Sequence, residues 1–225
     1  MNAIEKKPQP RWERRKDARP NEITASALEL FVERGYAATR LEDVAARAGV
    51  SKGTLYLYFT NKEELFKAVV REGLVSPLAE ARHLVESFQG EASELLQLLM
   101  LGWWEKIGST RVSGIPKLIL SEARNFPEIA RFYLDEVVQP GQSVIASILR
   151  RGIARGEFRR VDVDAVARLF MAPLLMIALW RNSLAHYPSE TFDPVQLMRS
   201  HMDMLRQGLK KCELATERPA RKPKR

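Results

Sequence analysis

Cysteine is nearly absent from this sequence, which contains only Cys212 among its 225 residues. A single cysteine excludes a disulfide within the chain, although it leaves open a bridge between two chains or a redox-sensing thiol. The three histidines, His83, His186 and His201, are too far apart in the sequence for the spacing of metal ligands. We therefore expect a protein that has no internal disulfide and needs no metal or other cofactor.

Long apolar runs are also missing. No uninterrupted apolar segment approaches the roughly 18 residues that a membrane span needs. The N-terminal residues are rich in charge and lack the apolar segment of a secretory signal. The composition, with 45% hydrophobic and 28% charged residues, is that of an ordinary globular protein. These features predict a soluble, cytoplasmic protein with no membrane partner.

Alternation of apolar and polar residues, the pattern of a half-buried strand, is not sustained anywhere, whereas apolar residues recur throughout at helical spacing. The sequence therefore predicts an all-α protein. A first helix is expected at roughly 21–34, ended by Gly35. Thr39 opens a second helix as part of a capping box with Glu42, and Ser51 caps a third that ends near Tyr58.

The later helices are longer, and proline interrupts two of them. They are expected at roughly 62–87, 92–108, 114–124, 127–155, 163–186 and 194–211, which makes nine helices in all. Pro77 and Pro140 fall inside two of these spans and should kink or divide them, because proline removes a backbone donor.

The segment 39–59, TRLEDVAARAGVSKGTLYLYF, has the pattern of a helix-turn-helix. Small residues such as Ala45 permit two helices to cross closely, and Gly49 can adopt the positive φ that the turn needs. The outward residues of the second helix suit phosphate oxygens and base edges in a DNA major groove. Taken alone, Tyr56 and Tyr58 are equally well explained as partly buried aromatic residues of a small helical domain.

Around this motif, the chain from about 23 to 65 closely resembles the DNA-binding domain of the TetR family of transcription regulators. The resemblance is carried by ALELFVERGYAATRLEDVAARAGVSKGTLYLYFTNKEELF. It implies that residues of the second and third helices and of the start of the fourth contact DNA. The sequence differs from the family pattern at Leu57, where the family frequently has another aromatic or polar residue. The expected contacts are Thr39, Arg40, Ser51, Lys52, Gly53, Thr54, Tyr56, Tyr58 and Lys62.

The charge distribution favours a polyanionic partner, since the net charge is +8. Basic residues cluster at both ends, in segments 1–20 and 212–225, which we predict to be a disordered arm and a disordered tail. Arg11, Arg14 and Arg15 are candidates for insertion into the minor groove. The alternative is that both segments are solvated and assist binding only by their charge.

The remaining sequence, 66–211, contains SEARNFPEIARFYLDEVV and ILRRGIARGEF, which look like the middle of many TetR-type C-terminal domains. The resemblance implies a cavity for a small effector and two last helices that pair with a second copy. The predicted dimer interface comprises Phe170, Leu174, Ile177, Leu197, Met202 and Leu205. The candidate cavity residues are Met100, Trp103, Trp104, Phe126, Phe132, Tyr133, Met171, Leu175, Met176 and Trp180, although ordinary core packing is the simpler explanation of such residues.

The sequence thus predicts a homodimeric, ligand-responsive regulator of transcription. Its domain at 21–65 would bind operator DNA, and 66–211 would bind an apolar or aromatic effector and form the dimer. Helix four would connect the two, with Pro77 as a pivot. The chain carries no catalytic motif that would indicate an enzyme. A basic architectural protein that binds DNA without sequence preference is the remaining alternative.

Overall fold

The computed structural model describes residues 11–185, 187 and 192–211, and the side chains from Arg19 onward. All regular structure within these residues is helical, which confirms the predicted class. Segments that follow one another without a break form nine continuous helices. They are α1 (Arg11–Arg34), α2 (Leu41–Arg47), α3 (Lys52–Tyr58), α4 (Lys62–Val70, Arg71–Val75 and Ser76–Ser87), α5 (Ala92–Trp103 and Trp104–Gly108), α6 (Arg111–Ser113 and Gly114–Glu122), α7 (Pro127–Tyr133, Leu134–Val138 and Gln139–Ala154), α8 (Val163–Arg181) and α9 (Pro194–Leu209).

Helix α1 begins at Arg11, ahead of the predicted start at 21, so the expected disordered arm at 1–20 is corrected for residues 11–20. Residues 11–19 are mostly arginine, lysine, glutamate and alanine, whose high helix propensity outweighs the charge on which the prediction rested. Pro20 lies inside the helix and does not end it. Residues 1–10 and the predicted tail at 212–225, including Cys212, lie outside the described residues.

Helix α8 ends at Arg181, before the predicted end at 186. Asn182 ends it, because its side-chain amide donates to the carbonyl of Ala178 at 2.8 Å and to the hydroxyl of Ser113 at 3.2 Å. A side chain that bonds back to the last turn satisfies a carbonyl that the helix leaves open.

Pro77 and Pro140 leave their helices continuous, and a π-helical turn precedes each of them. Proline has no amide hydrogen and its ring presses on the carbonyl four residues earlier, so the chain underwinds just before it. The amide of Ser76 therefore donates to Arg71 and that of Gln139 to Leu134, five residues back in each case. These two π turns, Arg71–Val75 and Leu134–Val138, contact each other in the middle of the molecule.

Two hydrophobic cores lie along the molecule. The first joins the buried residues of α1–α4 to Ile107, Ile115, Ile119 and Ile129 of α5, α6 and α7. The second is formed by α5, α7, α8 and α9. Trp103 packs against both. The three N-terminal helices therefore share their core with the larger part of the chain.

The predicted dimer residues on α8 lie inside the protomer. Phe170, Leu174 and Ile177 are no more than 3% exposed, and on α9 Met202 is also buried while Leu197 and Leu205 are half-buried. The prediction selected the inner face of α8 because the helix is apolar on both sides, so its periodicity does not distinguish the inner face from the outer one. The outer face is an apolar stripe at spacings of four, three and four residues, made by Ala165, Leu169, Ala172 and Met176.

This two-sided apolarity gives α8 another property that the sequence reading did not anticipate. Among the described residues it is the one helix long and apolar enough, by length and composition, to cross a membrane. A core helix passes the same test, and α8 packs against α6, α7 and α9.

The crossing of α7 with its neighbours depends on a glycine. A Cβ at Gly152 would lie 2.3 Å from a ring carbon of Phe158 and 3.0 Å from the Cβ of Ala92. We expect Gly152→Ala to lower the free energy of unfolding by about 1–3 kcal/mol, since overpacking forces the ring and the helices apart. Urea denaturation measures this.

Gly208 in α9 is the matched control, because a Cβ there meets nothing within 4 Å. Gly208→Ala should leave stability unchanged or raise it by up to ~1 kcal/mol through helix propensity. Equal losses in the two variants would contradict the packing argument at Gly152.

Candidate nucleic-acid interface and effector cavity

The turn between α2 and α3 has the geometry of a helix-turn-helix. Gly49 has φ +65°, in the left-handed region that favours glycine. The amide of Val50 donates to the carbonyl of Ala45 at 3.0 Å, which folds the chain back on α2. Leu55 of α3 is completely buried, as is Val44 of α2. One face of α3 is therefore fixed on the core, and the opposite face is presented outward.

The outward face of α3 carries the side chains that the sequence assigned to DNA. Lys52, Gly53, Tyr56 and Tyr58 are exposed, while Thr54 is half-buried. Ser51 caps the helix: its hydroxyl accepts from the amide of Thr54 at 3.0 Å. Leu57, which was not predicted to contact DNA, is the most exposed large apolar residue of this face, with 83% of its surface accessible to solvent.

The ammonium of Lys52 is held by α2. Its Nζ lies 2.5 Å from Oε1 of Glu42 and 5.8 Å from the ring centre of Tyr56. The hydrogen bond that the Lys52 ammonium donates to Glu42 raises the pKa of Lys52 and lowers the pKa of Glu42. Both side chains are more than half exposed, so this ion pair is weak and can exchange for another anion. Glu42 is a member of the site that sequence reasoning missed.

Thr39 does not offer its side chain to DNA. It is 1% exposed, and its hydroxyl reaches the carbonyls of Gly35 at 2.7 Å and Leu30 at 3.2 Å. The predicted capping box with Glu42 is not formed, because Arg40 is the N-cap residue of α2. Thr39 satisfies the open carbonyls at the end of α1 instead, and Arg40 next to it is exposed.

Lys62 is also engaged within the protein. Its Nζ donates to the carbonyls of Tyr36 at 2.9 Å and Ala37 at 3.1 Å, and it lies 4.6 Å from the ring centre of Tyr36. Burial lowers the pKa of Lys62 and raises that of Tyr36 to about 12. Lys62 therefore fixes the loop between α1 and α2, and its expected phosphate contact is replaced by this structural role.

A groove beside α3 brings a further basic residue to the interface. Arg19 and Glu22 of α1 face Gly49, Ser51 and Thr54 across a space of about 410 Å³. Sequence reading placed Arg19 in a disordered arm, so the continuity of α1 through Pro20 was the missing information.

An apolar cavity of about 340 Å³ lies between α4, α5, α7 and α8. Of the ten candidates, Trp103, Tyr133 and Met171 line it. Burial raises the pKa of Tyr133 to about 12, so its phenol is neutral. The α4 side of the wall has an apolar helical periodicity that was visible in the sequence: Leu74, Pro77, Leu78, Ala81 and Leu84.

The other candidates have different surroundings. Phe126 stacks edge-on against Tyr36 at 4.8 Å, and Phe132 lies beneath the guanidinium of Arg71 at 5.0 Å. The remaining five divide between core and surface, because adjacent aromatic residues on one helix point in different directions. Met100 is buried in the second core, Trp104 lies under Arg181, Trp180 packs on Phe192, and Leu175 and Met176 are exposed.

One ion pair lies at the cavity wall. Lys106 of α5 contacts Glu80 of α4, and both side chains are about half exposed. This pair joins the two helices at the solvent side of an otherwise apolar wall. In the part of the chain that the structure describes, no group of three or more His, Cys, Asp or Glu residues is placed to hold a metal ion.

Two family models match the chain. Residues 23–69 match the model of bacterial regulatory proteins of the tetR family. Residues 89–186 match the model of the tetracyclin repressor-like C-terminal domain. The first covers the second half of α1, all of α2 and α3, and the start of α4, and the second covers most of the cavity walls. The matched family is one of regulators rather than of enzymes.

Known proteins match along most of the chain. It is 30% identical over 166 residues to the HTH-type transcriptional repressor KstR2 of Mycobacterium tuberculosis, covering 73% of this chain and 82% of that protein. The structure of that ketosteroid transcriptional regulator has a TM-score of 0.65 at 26% identity, over 86% of this chain and 95% of that one.

A second structure has the same fold. It is the FadR regulator of Bacillus subtilis in complex with stearoyl-CoA, with a TM-score of 0.65 at 21% identity, over 84% of this chain and 98% of that one. The helix-turn-helix geometry, the two family models and these matches over most of the chain agree with the sequence resemblance: the chain belongs to the TetR family of DNA-binding transcription regulators.

Proposed function

We propose that this protein is a cytoplasmic repressor that binds a palindromic operator as a homodimer and is released by a small apolar effector. The observation that carries this proposal is the outward face of α3. It presents a cation, two phenols and an exposed leucine on a helix whose other face is buried. Exposed aromatic and apolar groups beside a basic residue suit a major groove better than they suit water.

Each part of this face has a role that its chemistry supports. Lys52 exchanges Glu42 for a backbone phosphate, a contact that is favoured because it releases counterions from the DNA. Tyr56 and Tyr58 offer hydroxyls to phosphate or base edges, and Leu57 offers an apolar surface to a thymine methyl group. Arg40 and Arg19 flank the helix and are exposed or half-exposed, so they supply phosphate contacts that set its position.

A dimer accounts for the outer face of α8. Leu169 is 58% exposed and Met176 is 42% exposed, and on the neighbouring α9 Met204 is 66% exposed. Exposed apolar side chains on two helices that contact each other favour burial against a second copy. A dimer also doubles the number of base pairs read, because one helix of seven residues contacts only a half-site.

The cavity supports an effector that is mostly apolar. Its wall is made by leucine, valine, methionine and aromatic side chains, with the neutral hydroxyl of Tyr133 as an internal polar group. Lys106, now paired with Glu80, can bind an anionic group on the ligand. Of the relatives named above, one is a ketosteroid transcriptional regulator and the other forms a complex with stearoyl-CoA. A ketosteroid and an acyl-CoA each combine a large apolar body with a polar end.

Selection of sites from random DNA duplexes tests operator recognition. We expect wild type to select a palindrome, and Lys52→Ala to weaken binding to it and to reduce the salt slope by roughly one per protomer. Tyr56→Ala should cost about 1–3 kcal/mol and relax sequence preference at the positions it contacts. Fluorescence anisotropy at several salt concentrations measures both quantities.

Arg82→Ala is the matched charge control, since Arg82 is exposed on α4, away from α3. It should leave the affinity and the salt slope unchanged. Binding without sequence preference that survives Tyr56→Ala would overturn the operator proposal and favour a basic architectural protein.

The dimer interface is tested by charge on the apolar stripe. We expect Leu169→Glu combined with Met204→Glu to give a monomer in sedimentation, because like charges would face each other in an apolar contact. The affinity of this variant for the operator should also fall, because a monomer contacts only one half-site. Leu120→Glu, at a position 55% exposed on α6, is the control and should remain dimeric. A double variant that stays dimeric would place the interface elsewhere.

Effector binding is tested with stearoyl-CoA and with a ketosteroid. At a concentration of about 100 times its Kd, a ligand should stabilise the protein by about 2.7 kcal/mol and weaken operator binding. Gly102→Leu should abolish both effects, because Gly102 lines the cavity and an added Cβ there meets no atom within 4 Å. If neither compound stabilises wild type, the proposed ligand class is wrong.

A further inference from the structure

The π turn Arg71–Val75 lies between the cavity and the DNA-binding helices and contacts both. Leu74 lines the cavity and is also a buried member of the core that contains α1–α3. Two residues earlier in the same turn, Oε2 of Glu72 accepts a hydrogen bond from the hydroxyl of Thr24 in α1, at 2.5 Å. One helical turn thus joins the cavity wall to the first helix of the DNA-binding domain.

The other polar contacts between the DNA-binding helices and the rest of the chain involve residues that are farther from the cavity wall. Glu122 accepts from the amide of Ala37 at 3.3 Å, and Arg111 lies 3.5 Å from Glu29. Neither Glu122 nor Arg111 belongs to a helical turn that lines the cavity. Fewer groups therefore separate Leu74 from Thr24 than separate Leu74 from the Glu122 and Arg111 contacts. A displacement of the wall at Leu74 acts most directly on Thr24.

The bond between Thr24 and Glu72 can break at low cost. The Thr24 hydroxyl has one proton and three acceptors within reach: Glu72, and the carbonyls of Asn21 at 3.0 Å and Pro20 at 3.1 Å. The carboxylate is the shortest contact, as expected for a charge-assisted bond. When Glu72 moves away, the buried hydroxyl turns to its own helix and the exposed carboxylate is hydrated.

The π turn can change its conformation towards that of an ordinary α-helical turn. A π turn contains one more residue than an α-helical turn, and such turns occur often at functional sites. This one exists because Pro77 cannot donate to Gly73, and it contacts the second π turn, Leu134–Val138, whose Val137 also lines the cavity. A ligand against Leu74 and Val137 therefore contacts two π turns that also contact each other.

We propose that Glu72 is a positioning residue for the DNA-binding helices: its bond to Thr24 holds α1, and with it α2 and α3, in the operator-binding orientation until cavity occupancy moves the π turn. This inference rests on the proposed function. Helix α1 transmits the change because Thr39, ahead of α2, bonds to the carbonyls of Leu30 and Gly35.

The test fills the cavity without a ligand. Gly102→Leu serves as the occupied state, and operator affinity is measured by anisotropy on the palindrome selected by wild type. We expect Gly102→Leu to weaken operator binding about tenfold in the wild-type background, within the usual range of allosteric coupling. In the Thr24→Val background the same change should weaken binding less than about twofold, since the link is already absent.

Matched variants separate coupling from stability. Thr24→Ser keeps the hydroxyl and should restore the tenfold response, while Glu72→Ala, which removes the acceptor, should reduce it as Thr24→Val does. Glu86→Gln removes an exposed charge near the far end of the same helix and should leave the response intact. Melting temperatures identify any variant that is merely destabilised. Hydrogen exchange at the Ser76 amide should accelerate in Gly102→Leu, because that amide closes the π turn.

Each outcome decides the proposal. An equal response to Gly102→Leu in wild type and in Thr24→Val would overturn the role of Glu72 and leave operator binding and effector release standing. A Gly102→Leu protein that binds the operator as wild type does, with unchanged exchange at Ser76, would overturn it too. Failure of wild type to select any palindrome would instead remove the proposed function, and the inference with it.

Discussion

Two helices of seven residues cannot bury a core between themselves, and this constraint determines how the protein is built. Helices α2 and α3 have seven residues each, so most of the apolar surface that holds them comes from α1 and from helices later in the chain. Ile107, Ile115 and Ile129 complete the core under Phe31 and Phe66. Because Ile107 also lines the cavity, the DNA-binding helices rest directly on the wall of the cavity that we assign to the effector.

Proline sets the shape of that wall. Pro77 and Pro140 each force a π turn, and the two turns meet beside the cavity. The sequence indicated that the regular α-helix must be disturbed at these prolines. It could not indicate that the helices underwind rather than break, since that choice depends on the packing on either side.

Local signals in the sequence were sufficient for much of the DNA-binding motif. Gly49 and Ser51 act locally, through a positive φ and a hydroxyl cap, and each has the role predicted for it. Thr39 and Lys62 do not have the roles predicted for them. Their partners are carbonyl groups at the end of α1 and in the loop after it, and these come close only in the folded chain. The same reasoning explains Phe170: a helix that is apolar on two sides carries no periodic signal for which side is buried.

Helix α8 illustrates why such a two-sided helix is useful in a regulator. Its inner face contributes Phe170, Met171 and Leu174 to the cavity, and its opposite face carries the exposed stripe through Leu169 and Met176. In the proposed dimer, a displacement of α8 by a ligand therefore alters the contact between protomers as well as the cavity. The distance between the two copies of α3 depends on that contact, and a palindrome fixes this distance. Ligand occupancy then acts on operator binding twice: through α4 it changes the orientation of each α3, and through α8 it changes their separation.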